Sequence, residues 1–139
     1  MKDIIYWNAK VQEEIDNYPD AVRDRINFEL IALQGDYPHS FDNFDFYEVL
    51  SDGDLLKELK MEYPPAQKKS MREAIGRYAM QLTIKSTDSY RMIYVAKFEE
   101  AIYVLHTFKK KTEGVARKDC KTAAGRYKQL EEYRKKNVE

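Results

Sequence analysis

Two neighbouring apolar runs rich in β-branched and aromatic residues lie within residues 90–112, and such runs predict a pair of β-strands. Only residues 97–100 separate the runs, a link short enough for antiparallel pairing. In that arrangement Arg91, near the start of the first strand, lies beside residues 109–111, three consecutive lysines at the end of the second. This concentration of positive charge at one sheet edge predicts a binding site for the phosphates of RNA or DNA.

Two segments instead repeat apolar residues every three or four positions, as amphipathic helices do. The first begins at Pro19 and Asp20, which favour a helix start, and ends at Gly35, which favours a stop. The second covers residues 117–136 and carries its lysines away from the apolar stripe. We therefore predict one helix in the N-terminal part of the chain and one at the C-terminal end.

Two shorter apolar runs predict further strands, over residues 4–9 and 78–85. A turn at residues 86–89 connects the second of these to the strand pair, so that three consecutive strands form an antiparallel meander. Together these elements predict an α+β fold. It consists of a small antiparallel sheet of about four strands, an N-terminal helix packed on it and a C-terminal helix.

The segment between the first helix and the meander has little periodicity and contains Pro64 and Pro65. Residues 55–61 fit either a short strand or one helical turn, and residues 66–75 fit a basic helix that begins after the prolines. The aromatic residues of this segment either pin a loop to the body of the protein or stack on bases. They are Phe41, Phe44, Phe46 and Tyr47.

With 139 residues the chain has the usual length of one domain, and we expect a single one. The formal net charge is zero, but residues 1–70 hold 8 Lys+Arg against 15 Asp+Glu, whereas residues 71–139 hold 16 against 9. Either the C-terminal half meets a polyanion, or folding scatters both signs over the surface. One cysteine, no apolar signal segment and no apolar run of membrane length predict a cytoplasmic protein without disulfides.

Arg91 occupies a strand face that it shares with Ile93 and Val95, where a guanidinium needs a partner. One interpretation is that its planar group binds a phosphate through two hydrogen bonds. The other is a salt bridge to an acidic residue of the same region. The candidate acids are Asp88, Glu99 and Glu100.

His106 lies in the second strand, and strict alternation puts Ile102, Val104 and Phe108 on its face. Such neighbours are typical of a core histidine. However, Lys110 follows on the same face, and histidine is the residue type that exchanges protons near neutral pH. Both interpretations, a core residue and an acid or base, stay open at this point.

Basic residues of the C-terminal half extend the predicted phosphate site into a stripe for RNA binding, whose affinity should fall with added salt. The sequence has no glycine-rich loop for nucleotide phosphates and no cluster with metal-ligand spacing, so we expect neither a cofactor nor a metal. RNA permits cleavage without metal, because its 2′-hydroxyl can attack the adjacent phosphate. The stripe comprises Arg77, Lys85, Lys109, Lys110, Lys111, Arg117 and Arg126.

Residues 105–112, Leu-His-Thr-Phe-Lys-Lys-Lys-Thr, contain a distinctive pattern, Leu-His-x-Phe-x-Lys-Lys-Thr. About ten residues later Ala123 and Arg126 form the pair Ala-x-x-Arg in the last helix. With Tyr90 and Arg91 opening the preceding strand, the pattern resembles the HigB-like, phage-derived branch of the RelE/ParE toxin superfamily. The resemblance covers roughly residues 78–130, whereas the N-terminal strand and helix agree only in their order.

The resemblance implies a RelE-like fold and the toxin of a type II toxin–antitoxin pair. Such a toxin is an endoribonuclease that cleaves mRNA, often during translation on the ribosome, and its antitoxin is a small neighbouring protein, commonly with a helix-turn-helix. Arg91 matches the arginine that stabilises the transition-state phosphate, and Lys85 matches a basic residue of the preceding strand. Lys109 or Lys110 matches the basic residue that ends the last strand. The candidates for proton exchange are Tyr90, His106 and Tyr127.

Two features depart from the family pattern. Residues 61–76 look like an insertion before the meander, and residues 113–116 replace the usual threonine and proline after the lysines. The insertion either caps the basic groove or marks a different substrate. Two other functions also stay open: a non-catalytic inhibitor of DNA gyrase, like the ParE side of the superfamily, and a degenerate phage-derived protein that binds only its partner.

Overall fold

The structure is a computed structural model, and it describes residues 2–35, 64–110 and 116–138. Within these ranges the chain forms five strands and three helices, which confirms the predicted α+β class. In chain order the elements are β1 (Asp3–Tyr6), α1 (Ala9–Asp16), α2 (Asp20–Gln34), β2 (Ala66–Ser70), β3 (Met80–Lys85), β4 (Ser89–Val95), β5 (Ala101–Lys110) and α3 (Arg117–Asn137).

The five described strands belong to one mixed sheet in the order β1-β5-β4-β3-β2. The central strands β3, β4 and β5 run antiparallel to one another, which confirms the predicted meander. β1 is added parallel to β5 at one edge, and β2 is added antiparallel to β3 at the other. The expectation of about four antiparallel strands is therefore wrong in two respects: β2 is a fifth strand, and β1 runs parallel to its neighbour.

The sheet separates two apolar cores. α1 and α2 cover one side, where Val22, Ile26 and Leu30 are at most 1% exposed. α3 crosses the other side and packs mainly on β5. Because burial of apolar surface stabilises by about 25 cal/mol per Å², these two cores hold the helices on the sheet. The buried residues of α3 are Ala123, Tyr127 and Leu130.

Both predicted helices are present. α2 follows Pro19 and ends before Gly35, and α3 extends one residue beyond the predicted residues 117–136.

Arg134 of α3 donates a hydrogen bond to Oε2 of Glu100 at 2.8 Å, and this bond is the main reason why the pKa of Glu100 falls to about 2. No helix in the described ranges combines the length and the apolar character that a membrane span requires.

A third helix, which the sequence pattern does not predict, follows the first strand. Oδ1 of Asn8 accepts a hydrogen bond from the backbone N–H of Val11 at 2.9 Å and thereby caps the start of α1. β1 therefore ends at Tyr6, although the apolar run in the sequence continues to Ala9. The buried residues of α1 are only Val11 and Ile15, which is too few to show a helical period.

Residues 66–75, predicted as a basic helix, instead begin with the edge strand β2. The sequence Ala-Gln-Lys-Lys-Ser has no apolar alternation, so pairing with the edge of β3 decides its conformation. Lys68 also binds Glu29 of α2 at 2.9 Å, an acid whose side chain is only 2% exposed. Residues 55–61 and the four aromatic residues of the preceding segment lie outside the described residues.

The packing of Gly76 gives a testable prediction. A Cβ at Gly76 would overlap Cδ1 and Cε1 of the buried Tyr127 ring. We expect Gly76→Ala to lower the free energy of unfolding by about 1–3 kcal/mol, because overpacking displaces that ring. Gly125 in α3 is the matched control: it faces open space, so Gly125→Ala should raise stability by about 0.5–1 kcal/mol. Urea denaturation measures both, and equal effects of the two variants would contradict the packing.

Candidate functional site

The register between β3, β4 and β5 brings several predicted site residues onto one side of the sheet. Arg91 lies opposite Phe108, and Ser89 lies opposite Lys110 on β5 and Lys85 on β3. These residues alternate with those buried under α1 and α2, so their side chains point to the side of α3. We call the polar part of this side the open face, because each of its residues is at least partly exposed. Its residues are Thr83, Lys85, Ser89, Arg91, His106 and Lys110.

Arg91 has no carboxylate partner among the described residues. Its Nε lies 3.5 Å from Oγ of Ser89, and its guanidinium carbon lies 6.0 Å from the centre of the Phe108 ring. These neighbours engage only part of the guanidinium, and Arg91 forms no salt bridge with a described acid. Two of the candidate acids are engaged elsewhere: Glu100 binds Arg134, and Asp88 lies 3.8 Å from Lys109.

An irregularity in β5 changes the surroundings of His106. The pairing with β4 shifts by one residue beside Leu105, a β-bulge that interrupts strict alternation. Ile102 and Val104 consequently face the core under α1 and α2, whereas His106 faces α3. The prediction that Ile102 and Val104 surround His106 is therefore wrong. The neighbour Phe108 is confirmed, since its ring stacks on the imidazole with centroids 5.5 Å apart.

Both ring nitrogens of His106 contact α3. Nδ1 accepts a hydrogen bond from Nη1 of Arg126 at 3.4 Å, because a guanidinium can only donate. Nε2 then carries the proton and donates it to Oδ1 of Asp119 at 2.8 Å. With its side chain 16% exposed, His106 ties β5 to α3 at the border of the open face.

Arg126, predicted to bind RNA, is partly buried and contacts β5 and Trp7. Its Nη1 donates a hydrogen bond to the carbonyl oxygen of Leu105 at 2.6 Å, and its guanidinium carbon lies 5.6 Å from the Trp7 ring centre. Burial lowers the pKa of Arg126 from its ordinary value, although the nearby Glu14 acts in the opposite direction. Arg126 therefore lies behind His106 and not on the open face.

Tyr90 and Tyr127, the other candidates for proton exchange, lie inside the two cores. Tyr90 is 6% exposed, packs edge-on against Tyr18 and faces the core under α1 and α2. Burial raises the pKa of Tyr90, and Asp88 adds to the effect. Tyr127 is 5% exposed, and its hydroxyl accepts a hydrogen bond from the backbone N–H of Tyr78 at 3.2 Å. The structure brings neither tyrosine to the open face.

Only some residues of the predicted basic stripe lie on the open face. Lys85 and Lys110 lie on the open face, whereas Lys109 faces the opposite side of the sheet. Arg77 lies at the other end of β3, with its guanidinium over the ring of Tyr78. Lys111 lies outside the described residues.

Sequence reasoning does not find Asp119. It stands 13 residues after His106 and on a different element, so no local spacing links the two residues. Its contribution is a carboxylate that orients the imidazole. Within residues 2–35, 64–110 and 116–138, no group of three or more His, Cys, Asp or Glu side chains is placed to hold a metal ion.

Comparison with known proteins gives one match. Residues 41–128, more than half of the chain, match the model of a family described as Phage derived protein Gp49-like (DUF891). The matched range includes Arg91, His106 and Asp119. No curated protein and no solved structure matches the chain.

The contacts of His106 predict its tautomer. In the neutral ring the proton should reside on Nε2, because Arg126 occupies Nδ1 as a donor. A ¹⁵N–¹H NMR correlation of the ¹⁵N-histidine protein measures this, with His106→Gln identifying the signal against His39. Asp119→Ala should keep this tautomer, because Arg126 still occupies Nδ1, but should remove the acceptor of the Nε2 proton, whereas Asp119→Asn keeps an acceptor. A proton on Nδ1 in the wild type would contradict the arrangement.

Proposed function

The chain belongs to the phage-derived Gp49-like family, within the RelE/HigB-type toxin group, and on that premise we propose that it is a metal-independent endoribonuclease. Membership of a toxin family implies an antitoxin partner. We further propose that the chain is the toxin of a type II pair, that its sheet and helices follow the RelE-like arrangement of the HigB-like branch, and that it cleaves mRNA during translation on the ribosome.

One observation carries the proposal: Arg91 stands on the open face with no carboxylate to neutralise it among the described residues. Lys85, Ser89 and Lys110 form a row across three strands beside it. Because adjacent strands lie about 4.8 Å apart, the two lysine Cα atoms are separated by about 10 Å. Cations at this spacing attract the RNA backbone, and a guanidinium can bind two oxygens of one phosphate.

The proposed reaction uses the nucleophile that RNA itself carries. The 2′-oxygen forms a bond to phosphorus while the bond from phosphorus to the 5′-oxygen breaks, which leaves a 2′,3′-cyclic phosphate and a 5′-hydroxyl. Arg91 and Lys110 stabilise the negative charge that develops on the phosphate. This reaction needs cations, a proton acceptor for the 2′-hydroxyl and a proton donor for the 5′-oxygen, but no metal.

His106 is the proton-exchanging group in this proposal. It takes the proton of the 2′-hydroxyl and returns a proton to the departing 5′-oxygen. Both ring nitrogens contact α3, so RNA must displace one of these contacts, and the contact with Arg126, at 3.4 Å, is the longer of the two. Asp119 holds the opposite nitrogen during both transfers.

Induction in a bacterial host, followed by mapping of RNA 5′ ends, tests the proposal. The wild type should stop growth and create new 5′ ends within coding regions. Arg91→Ala should reduce cleavage by about 10²–10³-fold, the effect of losing one donor to a developing oxyanion. Arg23→Ala is the matched control and should cleave like the wild type, because Arg23 lies on α2 and binds Asp20 and Asp24.

Other outcomes would contradict the proposal in distinguishable ways. Growth arrest with intact transcripts and DNA breaks would favour inhibition of DNA gyrase. Normal growth with intact RNA would favour a degenerate protein that only binds its partner. Full cleavage by Arg91→Ala would mean that Arg91 does not hold the phosphate. If coexpression of a small helix-turn-helix protein from the neighbouring gene restored growth, that result would support the assignment to a type II toxin–antitoxin pair.

A further inference from the structure

β2 adds a row of polar residues to the side of the sheet that carries the open face. Gln67 lies opposite Thr83 of β3, and Lys69 lies opposite Gln81. Lys68, between them, points the other way, to its ion pair with α2. Since neighbouring residues of a strand alternate, Gln67 and Lys69 point to the side of α3, and both are exposed.

A polar strip of β3 connects this row to Arg91. Thr83 lies directly opposite Arg91 on β4, and opposite residues of an antiparallel pair have Cβ atoms about 5 Å apart. Nε2 of Gln81 donates a hydrogen bond to Oγ1 of Thr83 at 3.3 Å. Because Gln81 is only 7% exposed, it braces the more exposed Thr83 from within the sheet surface. The surface from Arg91 to Lys69 is therefore continuous and polar.

We propose that β2 and β3 extend the RNA site beyond the cleaved phosphate. Lys69 binds the phosphate of a neighbouring nucleotide, and the hydroxyl of Thr83, braced by Gln81, contacts the base of that nucleotide. This proposal rests on the proposed function, because it assigns a further part of the same RNA strand. The ligand is single-stranded RNA that crosses the strands from β5 towards β2.

The dimensions of the sheet support this path. Lys69 lies two strands from Arg91, a lateral separation of about 10 Å between their backbones. Lysine and arginine side chains bridge part of that distance, so their charged groups can hold successive parts of one strand. Single-stranded RNA exposes the edges of its bases, which a threonine hydroxyl can read by hydrogen bonding. An edge-strand lysine that only prevents sheet-to-sheet pairing would leave RNA affinity unchanged.

Salt-dependent binding tests the proposal. The probe is a short single-stranded RNA with methylated 2′-hydroxyls, which the full-length protein can bind but not cleave. Each phosphate contact contributes about 0.7 to the slope of log K against log salt concentration on single strands. Lys69→Ala should reduce that slope by about 0.7, whereas Thr83→Val should keep the slope and change the base preference at mapped cleavage sites. Lys10→Ala, an exposed lysine of α1, should change neither.

The outcomes separate this proposal from the one on which it rests. If the wild type binds RNA and Arg91→Ala weakens binding, but Lys69→Ala behaves like Lys10→Ala, the extension across β2 is overturned and the proposed function stands. If the wild type does not bind RNA, both proposals fall. Unfolding curves that coincide for Lys69→Ala and the wild type exclude an indirect effect through stability.

Discussion

The fold and the candidate site both depend on the pairing of β4 with β5, including the one-residue shift beside Leu105. This pairing sets Arg91 on the side of α3. The shift turns His106 to the same side, where Asp119 and Arg126 hold its ring. Without the shift, alternation would direct the imidazole into the apolar core under α1 and α2, where desolvation opposes its charged form. One irregular residue therefore decides whether the histidine packs in the core or borders the open face.

The two sides of the sheet differ in polarity and in how far the helices cover them. α1 and α2 bury an apolar side, whereas α3 packs on the other side and leaves its polar part exposed. Burying a charge without a partner costs several kcal/mol, so Arg91 is tolerated because its side chain keeps access to water. No ion pair among the described residues accounts for Arg91. Under the proposed function a phosphate does, because it matches the planar geometry of the guanidinium.

Local physical chemistry decides the parts of the fold that the sequence predicts. The two apolar runs and the short link at residues 97–100 suffice to place Arg91 beside the end of β5, and Pro19 and Gly35 suffice to bound α2. The sequence does not reveal β2, because its five residues have no apolar period and adopt a strand only through pairing with β3. Nor does it reveal the partners of His106, since the shift in β5 overrides alternation and the partners come from α3.

The chemistry of the cleaved ends tests the central claim most directly, namely that the open face uses the 2′-hydroxyl of RNA as the nucleophile. Purified full-length protein would be added to translating ribosomes that carry a defined mRNA, and the end groups of the fragments would be identified. The account predicts 5′-hydroxyl and 2′,3′-cyclic phosphate ends, and no cleavage where a single 2′-O-methyl group blocks the attacking oxygen. Fragments with 5′-phosphate and 3′-hydroxyl ends, or cleavage at the methylated position, would contradict it.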